Sequence, residues 1–213
     1  MLQVSNFRNK GFTIIEMVVV MAIFLFIVGA AFGIFIYIVQ AQKKVLAEQQ
    51  LLNQISYAEE YMSKALRMAG TAEDTNCLPS SGDIYLLTNG DSGFYKGVKF
   101  INESDNNGTC QEFFVDNATP GDLNTPLVLW ETRGTNPPVA LTSTDLKINF
   151  FKFVVNGSGG CTGPTCVISN QDNNQPRITI VLDVKIPGDS QEPNRVIQTT
   201  VSRRNLNVNN GQR

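Results

Sequence analysis

Glu16 is a carboxylate in a setting that penalises it. It lies among Ile14, Ile15 and Met17, and the residues that follow, 17–39, carry no charge. A carboxylate in or near lipid costs a few kcal/mol, less at the interface than at the centre. A cationic partner offsets this: at about 4 Å and an effective dielectric of roughly 20, an ion pair returns about 4 kcal/mol. A chain cut just before Phe12 acquires such a partner, a new α-amine about 6 Å along the axis of a continuous helix from Glu16. Pairing with the amine of a neighbouring copy would set the axial offset between subunits. The plainer alternative is an interfacial Glu reaching back to headgroups. The other residues suited to chemistry are Cys77, Cys110, Cys161 and Cys166, an even count that lies wholly after the apolar run. Such a count fits disulfides in oxidising surroundings, with free thiols as the alternative. Histidine is absent, which removes the commonest general base and metal ligand.

The stretch that carries Glu16 reads as a membrane segment. Residues 17–39 would form a rod of about 34 Å, enough for a hydrocarbon core of about 30 Å. A secretory signal peptide has a shorter apolar core followed by small residues at a cleavage site; here Gln40-Ala41-Gln42-Lys43-Lys44 continues in helix formers. Arg8 and Lys10 on one side nearly balance Lys43 and Lys44 on the other, so charge alone does not orient the segment. Gly29 and Gly33 form a G-x-x-x-G, which reads equally as a small-residue patch or as a helix-pairing motif.

Gly11-Phe12-Thr13-Ile14-Ile15-Glu16, with the basic leader before it and the apolar run after it, resembles the processing and methylation motif of type IV prepilins and type II secretion pseudopilins. The resemblance implies cleavage between Gly11 and Phe12 by a membrane-bound prepilin peptidase on the cytoplasmic side. It implies N-methylation of Phe12, and a role for Glu16 in filament assembly. The implied partners are the peptidase, other pilin or pseudopilin subunits, the inner-membrane assembly platform and membrane lipid. The implied location is the inner membrane with an extracytoplasmic head, and then a pilus or pseudopilus at the surface or in the periplasm. Many pilins carry a proline in this helix; this chain has none.

Residues 40–69 lack proline and glycine and favour helix. Val45, Leu52, Ile55, Met62 and Leu66 recur at helical spacing with Ala58, Ala65 and Ala69 near the same face, and Gly70 is placed to cap the end. Beyond Gly70 the composition shifts to Gly, Asn, Thr, Ser and Pro between short β-branched and aromatic runs. Strands are expected at 84–88, 94–101, 111–115, 127–131, 146–155, 178–186 and 196–205, with a hairpin loop at 89–93. The alternation of Ile178, Ile180, Leu182, Val184 and Ile186 predicts one buried and one wet face. The helix stripe and the half-buried sheet cover each other, giving an α+β fold that resembles the pilin fold. The expected divisions are a cleaved leader at 1–11, a transmembrane and assembly helix at 12–39, an amphipathic helix at 40–70 and a β head at 71–213. The last strand, with its partner across a polar turn, resembles the end of minor pilins and large minor pseudopilins.

Cys161-Thr-Gly-Pro-Thr-Cys166 lies in a polar loop whose Gly-Pro can bring the two ends within bridging distance. A local bridge there leaves Cys77 for Cys110, although three connectivities are possible. No metal or cofactor is expected: there is no C-x-x-C, and the loops at 105–108 and 172–174 lack the alternating acids and distal Glu of a calcium loop. Sequons at Asn102, Asn107, Asn117 and Asn156 are read as chance. Trp130 with Phe113, Phe114, Phe150, Phe151 and Phe153 could line a groove, but aromatics in strands more often form core. Arg203, Arg204 and Arg213 make a small basic end, and in a chain of net charge −2 they give nucleic-acid binding little support. These features favour a structural subunit, a minor pilin or pseudopilin of a pilus, secretion or DNA-uptake filament. The alternative is a membrane-anchored binding module that does not polymerise. An enzyme is disfavoured, with no histidine, G-x-S-x-G, phosphate loop or paired-acid motif.

Overall fold

The computed structural model describes residues 11–73, 75–91, 94–104, 108–119, 121–156, 163–169, 175–185 and 195–204. Among the described residues one α-helix, α1 (Ile14–Arg67), is followed by nine strands: β1 (Asp83–Asp91), β2 (Phe94–Asn102), β3 (Thr109–Asn117), β4 (Leu127–Arg133), β5 (Val139–Ala140), β6 (Lys147–Asn156), β7 (Cys166–Ser169), β8 (Arg177–Lys185) and β9 (Arg195–Ser202). The chain divides into two compact units, residues 1–48 and 49–213.

The described part of the first unit is the early part of α1 and the three residues before it. None of its residues is buried, and Phe12, Ile14 and Phe26 are 76%, 86% and 80% exposed. No proline interrupts the helix, and it contains a stretch long and apolar enough to cross a membrane.

The second unit is an α+β arrangement, the last turns of α1 on an all-antiparallel sheet. The sheet runs β5-β4-β3-β2-β6-β8-β9, with β1 on the other side of β2 and β7 beyond β1. β1 and β2 pair from Tyr85↔Phe100 to Asp91↔Phe94, so Gly90 and Asp91 of the expected loop are paired strand. Asn89 takes a positive φ of 55° there, the conformation Asn tolerates better than most residues. β8 and β9 pair without a break from Arg177↔Ser202 to Val184↔Arg195.

The helix buries Leu51, Ile55, Ala58, Met62, Ala65 and Leu66, followed by Ala69 just past its end, against Phe100, Phe113, Leu129, Phe151, Phe153 and Ile180 of the sheet. The expected stripe holds from Ile55 to Ala69 and is corrected at its start: Leu51, not Leu52, faces inward, and Leu52 and Val45 are 40% and 52% exposed. β8 departs from simple alternation as well. Its second face is not wet, because Thr179 and Asp183 are buried; the Thr179 hydroxyl meets that of Thr200 at 2.9 Å, and Asn149 Nδ2 donates to Asp183 Oδ1 at 3.2 Å.

The end of α1 is tied to three parts of the sheet. Tyr85 of β1 donates its hydroxyl to the Leu66 carbonyl at 2.7 Å, the Glu103 amide donates to Met68 at 2.9 Å, and the Arg204 amide donates to Arg67 at 2.9 Å. These bonds satisfy carbonyls that a helix end otherwise leaves unpaired. Gly70 does not act as a left-handed cap. Its amide donates to Ile101 at 2.8 Å, and a Cβ at this position would collide with the Glu103 side chain.

Candidate functional site

Thr13 is the N-cap of α1. The Glu16 amide donates to Thr13 Oγ1 at 3.4 Å, and the Met17 amide to the Thr13 carbonyl at 3.2 Å. Thr13-Ile14-Ile15-Glu16 has the spacing of a capping box, so the helix begins at Ile14 and not at Phe12. Gly11 and Phe12 lie before it in exposed, non-helical backbone, and Gly11 has nothing within 4 Å of where a Cβ would stand. Glu16 is exposed in the first turn, where the positive end of the helix dipole favours a carboxylate. The positions expected for cleavage, methylation and assembly therefore occupy one short segment: an exposed non-helical dipeptide, a cap and one acid. The cap was overlooked in the sequence, although Thr followed three residues later by Glu is its usual signal.

Cys77 and Cys110 are joined in a disulfide with Cα atoms 5.5 Å apart. It fastens the segment after α1 to β3, inside a small apolar cluster with Ala72, Leu78, Leu86 and Ile101. Cys166 opens β7, is buried and is disulfide-bonded. Cys161, its expected partner, lies outside the described residues, as do 105–107, 172–174 and Arg213.

A buried polar chain crosses the sheet and reaches the helix. Asn102 Nδ2 donates to Gln111 Oε1 at 2.6 Å, and Gln111 Nε2 donates to Glu131 Oε1 at 2.6 Å. The same oxygen accepts from the Tyr61 hydroxyl at 2.8 Å and from Arg133 Nε at 2.9 Å. Burial, the hydrogen bond to Glu131 and that residue's charge push the Tyr61 phenol up to about 12. The carboxylate is thus held by neutral and cationic donors, an arrangement that locks α1 to the sheet. Gln111 and Glu131 hold inward strand positions beside Phe113 and Leu129; a polar residue in that phase was the available signal.

The expected basic end is corrected at Arg203. It is 7% exposed, and its Nη2 donates to Thr71 Oγ1 at 2.9 Å beside the end of α1. Burial lowers its pKa, opposed by the Glu103 carboxylate. Only Arg204 is solvated among the described members. Of the aromatic set, Phe113, Phe151 and Phe153 are core, Phe114 pairs across strands with Trp130, and Phe150 is exposed. Among the described residues no group of acids and cysteines could hold a metal ion.

Residues 6–32 match the family model described as the prokaryotic N-terminal methylation motif. No curated protein and no solved structure matches the chain. The match covers Gly11, Phe12, Thr13 and Glu16 together with the first part of the apolar helix, and it is the signature of type IV prepilins and pseudopilins.

Proposed function

From that signature we propose that the chain is the precursor of a minor pilin or pseudopilin, a structural subunit of a type IV pilus, type II secretion or DNA-uptake filament. Prepilin peptidase removes residues 1–11 by cutting between Gly11 and Phe12, and the Phe12 amine is methylated. The helix that starts at Ile14 holds the subunit in the inner membrane with its β head on the extracytoplasmic side, until the assembly platform draws it among other subunits. Residues 12–39 serve as the membrane and assembly helix, 40–70 as the amphipathic stem and 71–213 as the head.

The observation that carries the reading is the match over 6–32. The exposure of the apolar helix supports it: more than twenty large apolar side chains lie bare in this single chain, Phe12 to Tyr37 among them, and such a surface calls for lipid or other copies. Gly11 and Phe12 lie exposed outside the helix, where a peptidase can reach them. In the assembled state Glu16 pairs with the amine of a neighbouring Phe12, as the comparison of burial cost with ion-pair energy suggests. The test is Glu16→Ala. Membrane insertion is expected to persist while the protein disappears from sheared filaments; equal recovery of variant and parent would count against the pairing.

A further inference from the structure

We propose that the cavity where β2 leaves β3 for β6 is a docking site for an extended acidic peptide segment of a neighbouring filament subunit. The identity of that partner rests on the filament reading; the chemistry of the site does not. β2 pairs with β3 from Gly97↔Phe114 to Asn102↔Thr109, but with β6 only at Tyr95↔Phe153. β3 continues to Asn117, paired with β4 on its far side, and β6 starts at Lys147, paired with β8 on its far side. No described strand pairs with the near edges of 115–117 or 147–152. Between them lies an open cavity of about 380 Å³, a size that holds a small ligand or a few residues of peptide.

Three features define what fits. Lys152 and Lys96 line the cavity, and no carboxylate stands among its described lining residues, a local positive site in a chain of net charge −2. The Lys152 ammonium is held 4.1 Å from the centre of the Phe94 ring and 5.4 Å from that of Phe150, so its charge is positioned by cation–π attraction. Phe94 and Phe150 are 47% and 36% exposed, and Val115 and Leu127 lie deeper as apolar floor. Cation, aromatic rim and apolar floor suit an anionic ligand with an apolar body. The open strand edges select a peptide over a nucleotide or an acidic sugar, because only a peptide returns main-chain hydrogen bonds along an edge.

The test uses the purified full chain in detergent and a fluorescein-labelled octapeptide alternating Asp and Val, followed by fluorescence anisotropy. The acidic peptide should bind, and weaken as salt rises. The double variant Lys96→Gln/Lys152→Gln should lose about tenfold in affinity, and Phe150→Ala should also weaken binding. The counterpart alternating Lys and Val should not bind. Unchanged affinity in the double variant overturns the site, as does failure of the acidic peptide to bind. Displacement by an oligodeoxynucleotide or a polyuronate at lower concentration than by unlabelled peptide overturns the peptide assignment. Cleavage at Gly11–Phe12 is scored separately: a parent chain that binds the peptide but is not cleaved refutes the filament reading alone, and a cleaved chain that does not bind refutes the site alone.

Discussion

The Tyr61 hydroxyl donates to Glu131 Oε1 at 2.8 Å across the seam between helix and sheet. Seventy residues of sequence separate the two, and the same oxygen also receives Gln111 and Arg133. Replacing Glu131 by Ala leaves the buried Gln111 amide without its acceptor. The expected loss is about 3 kcal/mol, while Tyr61→Phe, which removes one donor and strands nothing, should cost about 1.5 kcal/mol. Thermal unfolding of the detergent-solubilised chain reads both; equal losses would contradict the convergence on Glu131.

The raised phenol makes stability depend on alkaline pH. Tyr61 is neutral in both folded and unfolded chains well below pH 10 and resists ionisation when folded up to about 12. Its contribution is therefore complete below pH 10 and is lost as pH rises from 10 through about 12. Tyr85, buried with its hydroxyl on Leu66, shifts in the same direction. Phenolate absorbance should show these two tyrosines titrating above the ordinary phenol range, and the unfolding midpoint should fall over the same interval.

Leu51 and Leu52 separate the two faces of α1. Leu51→Ala, at 6% exposure, should cost about 2 to 3 kcal/mol. Leu52→Ala, at 40%, should change head stability by less than about 0.5 kcal/mol. The reverse order in chemical denaturation would place the inward stripe one residue later.

The Cys77–Cys110 bridge closes a loop of sequence separation 33. The chain-entropy treatment gives roughly 3 to 4 kcal/mol for a loop of this size. The double variant Cys77→Ala/Cys110→Ala should lose about that amount, and mapping of non-reduced peptides should recover the Cys77–Cys110 link.

Much of the fold was legible in the sequence because its signals are local. Absence of proline and a long apolar run define α1, and the branched and aromatic runs mark seven strands close to where they lie. β5 and β7 escaped because two residues after Pro137-Pro138 and four after a cysteine loop are too short for alternation to register. Only the start of the stripe was misassigned, because Val45 stands seven residues before Leu52, and Leu52 fourteen before the buried Leu66. Which face the sheet covers depends on Leu129, Phe151 and Ile180, far away in sequence. The buried Arg203 depends on the same long-range packing, and Gln111 and Glu131 were legible only as polar residues in the inward phase of Phe113 and Leu129. Their burial is made tolerable only by partners that the topology supplies: Asn102, Tyr61 and Thr71.

The central claim is that Gly11 and Phe12 flank a processing site just before the capped start of the assembly helix at Ile14. The intact mass of the protein, purified from membranes of cells with active prepilin peptidase, tests it most directly. The account predicts a chain beginning at Phe12 and carrying one added methyl group. A chain that retains Met1 and the leader in those cells would contradict it.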